Sequence, residues 1–223
     1  MAMQPGAMKK DLVLFGPPGA GKGTQGALLA QRLGMLRLST GDVLRDAVKR
    51  GTEMGQAAQR YMNAGELVPD DVILGIVRDF LSGEAADTGV ICDGFPRTLP
   101  QARALDTLLA ELGRPLHAVL VLDVDDETLV KRLSGRRSCP TCSAVYNVYH
   151  DPPSVDGKCD RCGAALTMRK DDDAATVRRR LEVYHEQTAP LLSYYADAGV
   201  SVIHVAGDRA IEDVQLELVG ILA

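Results

Sequence analysis

The chain has 223 residues, of which 46% are hydrophobic and 25% charged, with a net charge of −5. That length supports one domain, or one domain with inserts, around a sizeable core. The acidic balance gives no global basic field for nucleic acid, no apolar run reaches the length of a membrane span, and MAMQPGAMKK lacks the apolar centre of a signal peptide. Residues 1–9 read as a disordered lead-in with alternative starts at Met3 or Met8. The expected compartment is the cytoplasm, where thiols stay reduced.

The first run, Leu12–Phe15, reads as a short buried strand, and 24–33 as a helix with Leu28, Leu29 and Leu33 on one face. Between them lies GPPGAGKGT, which fits the phosphate-loop pattern G-x-x-x-x-G-K-[ST] at Gly16, Gly21, Lys22 and Thr24. Glycines let backbone N–H groups turn inward towards an anion. The helix that follows points its positive end at the same place. Lys22 adds a mobile charge for outer phosphates and the Thr24 hydroxyl can face Mg²⁺.

Further on, a strand is expected at Leu36-Arg37-Leu38, then a helix from Gly41 with Thr40 or Asp42 near its cap. Helices follow over 52–64 and 70–82, the second opened by Pro69-Asp70-Asp71. A strand at 90–92, a helix over 99–112, a strand over 117–124 and a helix over 126–134 continue the alternation. The rhythm breaks over 136–172, and a long helix over 174–198, kinked at Pro190, restores it. Strand 200–205 and helix 210–222 close the chain. This order predicts an α/β fold with a five-stranded parallel sheet flanked by helices, its ligand beyond the C-terminal strand ends.

VICDGFPR, residues 90–97, is a buried strand ending in an acid. Asp93 suits the Walker-B position facing Mg²⁺ or its waters, and by itself also suits a cap on the next turn. Phe95-Pro96 is a stiff pair that aims Arg97. Arg45, Arg97, Arg132, Arg136, Arg169 and Arg180 come from separate segments. Phosphoryl transfer needs charge placed around three equatorial oxygens, which arginine supplies with a planar, permanently charged fork. Arg178-Arg179-Arg180 alone reads as a solvated helix face.

Cys139, Cys142, Cys159 and Cys162 form C-x2-C…x16…C-x2-C, a metal spacing. Four thiolates complete a tetrahedron; four unrelated thiols or two disulfides are the other readings. A nucleic-acid ribbon is disfavoured, because the insert has few cations and aromatics only at Tyr146 and Tyr149. A structural metal suits an insert too small for its own core. Zn²⁺ is expected, though iron or cobalt also fits four thiolates. Cys92, apart in a buried strand, reads as a packed small residue.

Taken together, GPPGAGKGT, LSTGDVLR, DGFPRTLPQA, GRR and RKDD…TVRRRLEVYHEQTAPL resemble adenylate kinase in its long form with a zinc-bearing lid, over about residues 10–222. The resemblance implies a P-loop nucleoside monophosphate kinase fold. It implies a core of 10–38, 69–134 and 173–223, a monophosphate clamp over 39–68 and a mobile lid over 135–172. It implies the reaction Mg·ATP + AMP ⇌ 2 ADP, a monomer, and no nucleic-acid or membrane partner. Carried over by position, Gly19, Ala20, Gly21, Lys22, Gly23 and Thr24 cradle ATP phosphates. Arg132, Arg136, Val145, Tyr146 and Arg209 complete the ATP site, Arg209 through its backbone. Thr40, Arg45, Glu66, Leu67, Val68, Gly94, Phe95, Pro96, Arg97 and Gln101 form the AMP site. Arg169 and Arg180 hold phosphates at transfer, with Asp171 and Asp172 orienting them. Thr24 and Asp93 stand on the Mg²⁺ side. The resemblance makes the metal of the cysteines structural rather than catalytic.

A kinase for UMP or CMP is the second reading and a nonenzymatic zinc ribbon the third. Gln101 favours AMP, because its amide offers both a donor and an acceptor to the edge of adenine. No guanine-reading NKxD occurs.

Overall fold

The computed structural model describes residues 10–83, 85 and 87–222, so the lead-in expected over 1–9 lies outside the described residues. Five parallel strands form the central sheet: β1 (Asp11–Phe15), β2 (Leu36–Ser39), β3 (Val90–Asp93), β4 (Leu116–Asp123) and β7 (Ser201–Ala206), in the order β2-β3-β1-β4-β7. The α/β class and the strand count match the expectation. Alternation along β1 shows why both faces are covered. Leu12 and Leu14 face one buried cluster, with Ile91, Leu120 and Leu122. Val13 and Phe15 face the other, with Cys92, Val119 and Val121. Cys92 is thus a packed core residue, and desolvation pushes its thiol up to about 12.

The helices divide between these faces. α1 (Lys22–Leu33), α6 (Asp126–Gly135), α7 (Ala174–Val183) and α9 (Ile211–Leu222) supply Leu29, Leu129, Leu181 and Leu218 to the Leu12 face. α2 (Thr40–Arg50), α3 (Glu53–Ala64), α4 (Asp70–Ser82), α5 (Leu99–Glu111) and α8 (Leu191–Asp197) supply Leu44, Ala58, Val77, Leu105 and Tyr195 to the other. α1 starts two residues earlier than expected. α2 is capped by Ser39, not by Thr40 or Asp42: the Ser39 hydroxyl accepts from the Asp42 N–H at 3.3 Å.

The long helix expected over 174–198 is interrupted. α7 ends at Val183 and a π-helical turn runs through Tyr184–Thr188 before α8. Pro190 explains it: its ring crowds the carbonyl four residues back and it brings no N–H. The turn widens ahead of it, and the Ala189 N–H reaches the Tyr184 carbonyl at 2.9 Å.

At the sheet edge away from the strand C-termini, Arg114 and Asp11 form a buried pair. Arg114 Nε and NH2 donate to the two Asp11 oxygens at 2.8 and 2.6 Å. Arg114 also donates to the Ala85 and Thr88 carbonyls, and Asp11 accepts the Val90 N–H at 3.0 Å. Both side chains are only 3% exposed. No helix is long and apolar enough to cross a membrane among the described residues.

Residues 136–172 hold a small hairpin, β5 (Arg136–Ser138) with β6 (Val145–Asn147), antiparallel with Arg137 opposite Tyr146.

Candidate active site

The loop after β1 turns on Gly21, whose φ of 97° lets it cap α1 without a side chain. Lys22 is half-buried. Its Nζ donates to the Gly16 and Pro17 carbonyls at 2.6 and 2.9 Å, so the loop folds round its own ammonium. Desolvation pushes the Lys22 pKa down from 10.5 to about 7; Asp93 opposes this, while Arg97, Arg180 and Arg136 add to it. Thr24 stands exposed on the first turn.

Beside this loop, a cleft is lined by Thr40, Arg45, Glu66, Leu67, Val68, Gly94, Arg97, Gln101, Asp171 and Arg180. Residues expected for one ligand thus meet from four separate segments. The Thr40 hydroxyl donates to the Gly94 carbonyl at 3.0 Å. Arg97 is held at three points: Nε donates to the Gly94 carbonyl at 2.8 Å, its N–H to Gln101 Oε1 at 2.8 Å, and its carbonyl accepts from Thr188 Oγ1 at 2.9 Å. The π-helical turn that carries Thr188 therefore braces this arginine. Phe95 and Pro96 are buried, Phe95 within the core, so their part is to set the Arg97 backbone.

Gln101 spends part of its amide on protein. Nε2 donates to Asp70 Oδ1 at 2.6 Å while Oε1 takes the Arg97 N–H. These partners fix which end is which, and they leave one N–H and one lone pair over. Glu66 turns outward, accepting from Arg179 Nε at 2.7 Å.

The segment 136–172 and α7 bring the remaining arginines. Asp172, buried, takes a two-pronged bond from Arg136, with Nε at 2.7 Å. Arg180 NH1 donates to the Asp171 carboxylate at 2.9 Å and to Asp172 at 3.2 Å. Arg169 Nε goes to Ser138 Oγ at 2.9 Å, so Asp171 and Asp172 orient Arg180 and Arg136 and not Arg169. Desolvation lowers Arg169 to about 9 and Arg97 to about 10, with Arg136 and Arg45 adding for the first and Arg180 for the second. Lys22, Arg45, Arg97, Arg136, Arg169 and Arg180 repel one another across one space, and an anion with several charges relieves that repulsion.

In the lid the four cysteine sulfurs lie within 4.8 Å of one another, with pairs at 3.4, 3.5 and 3.6 Å. A tetrahedral zinc with bonds of about 2.3 Å needs sulfur edges of about 3.8 Å, so the donor set fits such an ion. Two matching turns present them: the Cys139 and Cys159 N–H groups donate to Ala144 and Ala164, and their carbonyls accept from Ser143 and Gly163. Tyr146 is buried against this knot. Its hydroxyl accepts the Asp160 N–H at 2.9 Å and lies 3.6 Å from Cys159 Sγ. Desolvation opposes the Cys159 thiolate, yet Tyr146 and the Arg161 and Cys162 N–H groups outweigh it and draw the thiol down to about 6.

The chain matches the adenylate kinase profile over residues 14–200. It is 54% identical over 189 residues to an adenylate kinase of Acidothermus cellulolyticus, covering 85% of this chain and 87% of that one. It is 49% identical over 211 residues to that of Thermodesulfovibrio yellowstonii, covering 95% and 98%. It is 48% identical over 212 residues to that of Archaeoglobus fulgidus, covering 95% and 97%.

The chain belongs to the adenylate kinase family.

It is an adenylate kinase enzyme with the P-loop nucleoside monophosphate kinase fold, and its reaction is phosphoryl transfer. In this adenylate kinase the more distant residues expected at ATP lie on the far side of the phosphate loop. Arg132 NH1 donates to the Gly207 carbonyl at 2.9 Å, and Arg209 pairs with Glu217 on α9. Val145 is exposed, whereas the Tyr146 side chain faces the cysteines, so Tyr146 offers a nucleotide only its backbone.

Three residues of the site were not foreseen. Arg37 on β2 donates to Asp93 at 2.8 Å and to Asp42 at 2.7 Å. Asp70, read only as a helix opener, orients Gln101 and accepts from Thr98. Ser138 holds Arg169. Only Arg37 carries a sequence signal: a lone cation between two leucines of a half-buried strand calls for a partner.

Proposed function

We propose that this adenylate kinase transfers the γ-phosphoryl group of ATP to AMP within a cleft that its clamp and lid close. The observation that carries this reading is the convergence of Lys22, Arg45, Arg97, Arg136, Arg169 and Arg180 between the phosphate loop and the Thr40–Gln101 cleft. ATP phosphates lie in the cradle from Gly19 to Thr24, and AMP lies in the cleft. An AMP phosphate oxygen attacks the γ-phosphorus. The bond from that phosphorus to the bridging oxygen breaks, and ADP forms on both sides. Lys22 and the arginines offset charge on the transferring oxygens.

Mg²⁺ bound with ATP supplies further charge neutralisation. Thr24 and Asp93 offer the oxygen donors it takes. The free N–H and lone pair of Gln101 read the adenine of AMP. Closure excludes water, which otherwise hydrolyses ATP. Lys49 of the clamp donates to the Pro140 carbonyl in the first cysteine turn at 2.8 Å, so the two inserts already meet directly. The four cysteines hold structural Zn²⁺. Five free thiols suit a reducing cytoplasm, and the chain acts as a monomer.

A coupled assay of ATP against AMP, CMP, UMP and GMP tests the substrate. AMP is expected to give the highest kcat/KM; preference for a pyrimidine monophosphate overturns the assignment of Gln101.

A further inference from the structure

We propose that Arg37 is a positioning residue for the acceptor monophosphate: it fixes Asp42 against Asp93, and Asp42 in turn aims Arg45. The inference rests on Arg45 being a ligand of the AMP phosphate.

Charges of alternate sign run from the end of β3 into the clamp. Arg37 NH1 donates to Asp93 Oδ2 at 2.8 Å, and its NH2 to Asp42 Oδ2 at 2.7 Å. The other Asp42 oxygen, Oδ1, accepts from Arg45 NH2 at 2.6 Å. The carboxylate of Asp42 is thus shared, with Arg37 on one oxygen and Arg45 on the other. Arg45 is not otherwise tied by a side-chain bond among the described residues. Without Arg37, the Asp42 carboxylate keeps Ser39 and Arg45 but loses its tie to Asp93 and the sheet, and its hold on Arg45 loosens.

An isolated surface ion pair has little worth; here Asp42 is 44% and Arg45 34% exposed, but the Arg37 end of the chain is built in. The Arg37 side chain is 23% exposed and that of Asp93 9%. The stem of Arg37 crosses the first turns of α1 over two glycines. A Cβ on Gly26 stands 3.2 Å from Arg37 Cδ, and one on Gly23 stands 3.6 Å from NH1. Glycine inside a helix costs about 1 kcal/mol against alanine, so its presence at 26 has a packing reason: it makes room for this arginine and for Leu14, whose Cδ2 stands 3.3 Å from the same Cβ. Arg37 also reaches the Gly23 carbonyl at 3.3 Å, within the phosphate loop. One planar fork therefore spans the phosphate loop, the metal-side carboxylate and the clamp. The aim of the clamp's arginine is set by the core sheet.

The test compares Arg37→Gln, Arg37→Lys, Asp42→Asn, Arg45→Ala and the Arg37→Gln/Asp42→Asn pair, with circular dichroism to confirm folding. KM for AMP is expected to rise about tenfold in Arg37→Gln, the worth of one charge-assisted hydrogen bond, while KM for ATP changes less than about threefold. Arg37→Lys keeps the charge without the fork and is expected to raise KM for AMP as well. The double variant is expected to be no worse than the more affected single one, because both cut the same chain. A tenfold rise in Arg45→Ala with no rise in folded Arg37→Gln or Arg37→Lys overturns the inference, as do multiplying effects in the double variant. No rise in Arg45→Ala removes the clamp reading itself and the inference with it. If Arg37→Gln does not fold, Asp42→Asn and Arg37→Lys decide the question by the same criteria.

Discussion

The phosphate cleft, lined by helix ends and the loops between them, and the cysteine knot, built from two short turns, carry opposite electrical deficits. In the cleft, cations crowd together and desolvation works against them; Lys22, Arg97 and Arg169 are all drawn below their ordinary values. In the lid, four sulfurs crowd together and only a cation completes them. Function explains the difference. On the proposed function the cleft has to release its anion at each turnover and so stays unneutralised between cycles, whereas a structural ion in the knot would stay in place throughout. Removing a charge from the cleft should therefore impair activity and help the fold. Removing a ligand from the knot should impair the fold and spare the activity.

Lys22→Met puts the first half of that comparison to its hardest test. Turnover is expected to fall by about a hundred- to a thousandfold, the usual loss when a preorganised charge is removed from a transition state. The melting temperature is expected to rise. The sign follows from linkage: the folded pKa, about 7, lies below the ordinary 10.5, so the unfolded chain binds more protons between those values. The penalty of holding Lys22 charged is full below about pH 7 and fades as pH rises towards 10.5. The gain in melting temperature should be larger at pH 6 than at pH 9. A loss of stability at pH 6 would mean that the bonds to Gly16 and Pro17 outweigh desolvation.

The converse change is Cys139→Ser with Cys142→Ser. Metal content per chain should drop to zero and the melting temperature by roughly 5–10 °C, about 2–3 kcal/mol for a chain of this length. Turnover at low temperature should remain, since Lys22, Arg97 and Arg180 are untouched. A folded, metal-free and wholly inactive protein would make the two regions one machine.

A gentler probe is Tyr146→Phe. The phenol accepts from Asp160, which leaves its proton free to point at Cys159. Losing that partner should weaken metal binding about tenfold in a chelator competition. Unchanged affinity would reduce Tyr146 to packing.

The smallest effect belongs to Ser143. Its φ of 60° matches the 74° of Gly163 at the equivalent place in the second turn. Ser143→Gly should stabilise the lid by ~1 kcal/mol by relieving the left-handed backbone. Calorimetry at full metal loading checks it, and a lower melting temperature would show that the hydroxyl has a use there.

These contrasts also explain what the sequence disclosed. The phosphate loop, the strand ending in Asp93 and the cysteine spacing are local patterns, legible because a few adjacent residues perform each task. The sheet was legible from alternating strands and helices. The hairpin of the lid was not, for strands of three residues carry no period. Asp70 was missed because Gln101 lies 31 residues away, and Arg37 because the partner that ties it to the site, Asp93, lies 56 residues away, although Asp42 is only five residues on. Pro190 announced a disturbance but not its form, a π-helical turn in which the Ala189 N–H reaches the Tyr184 carbonyl five residues back. Tyr146, expected at the nucleotide, turns its side chain to the cysteines, a matter of strand register.

Asp11 and Arg114, at the sheet edge far from the nucleotide, bear on the history of the chain. Replacing either one alone strands a buried charge at a loss of about 3–5 kcal/mol, while an apolar pair of similar volume is close to neutral. The two states are comparable in stability, and the path between them runs through a poor folder. A lineage that holds this pair is kept there by the valley around it, so the two positions are expected to change together across descendants or not at all.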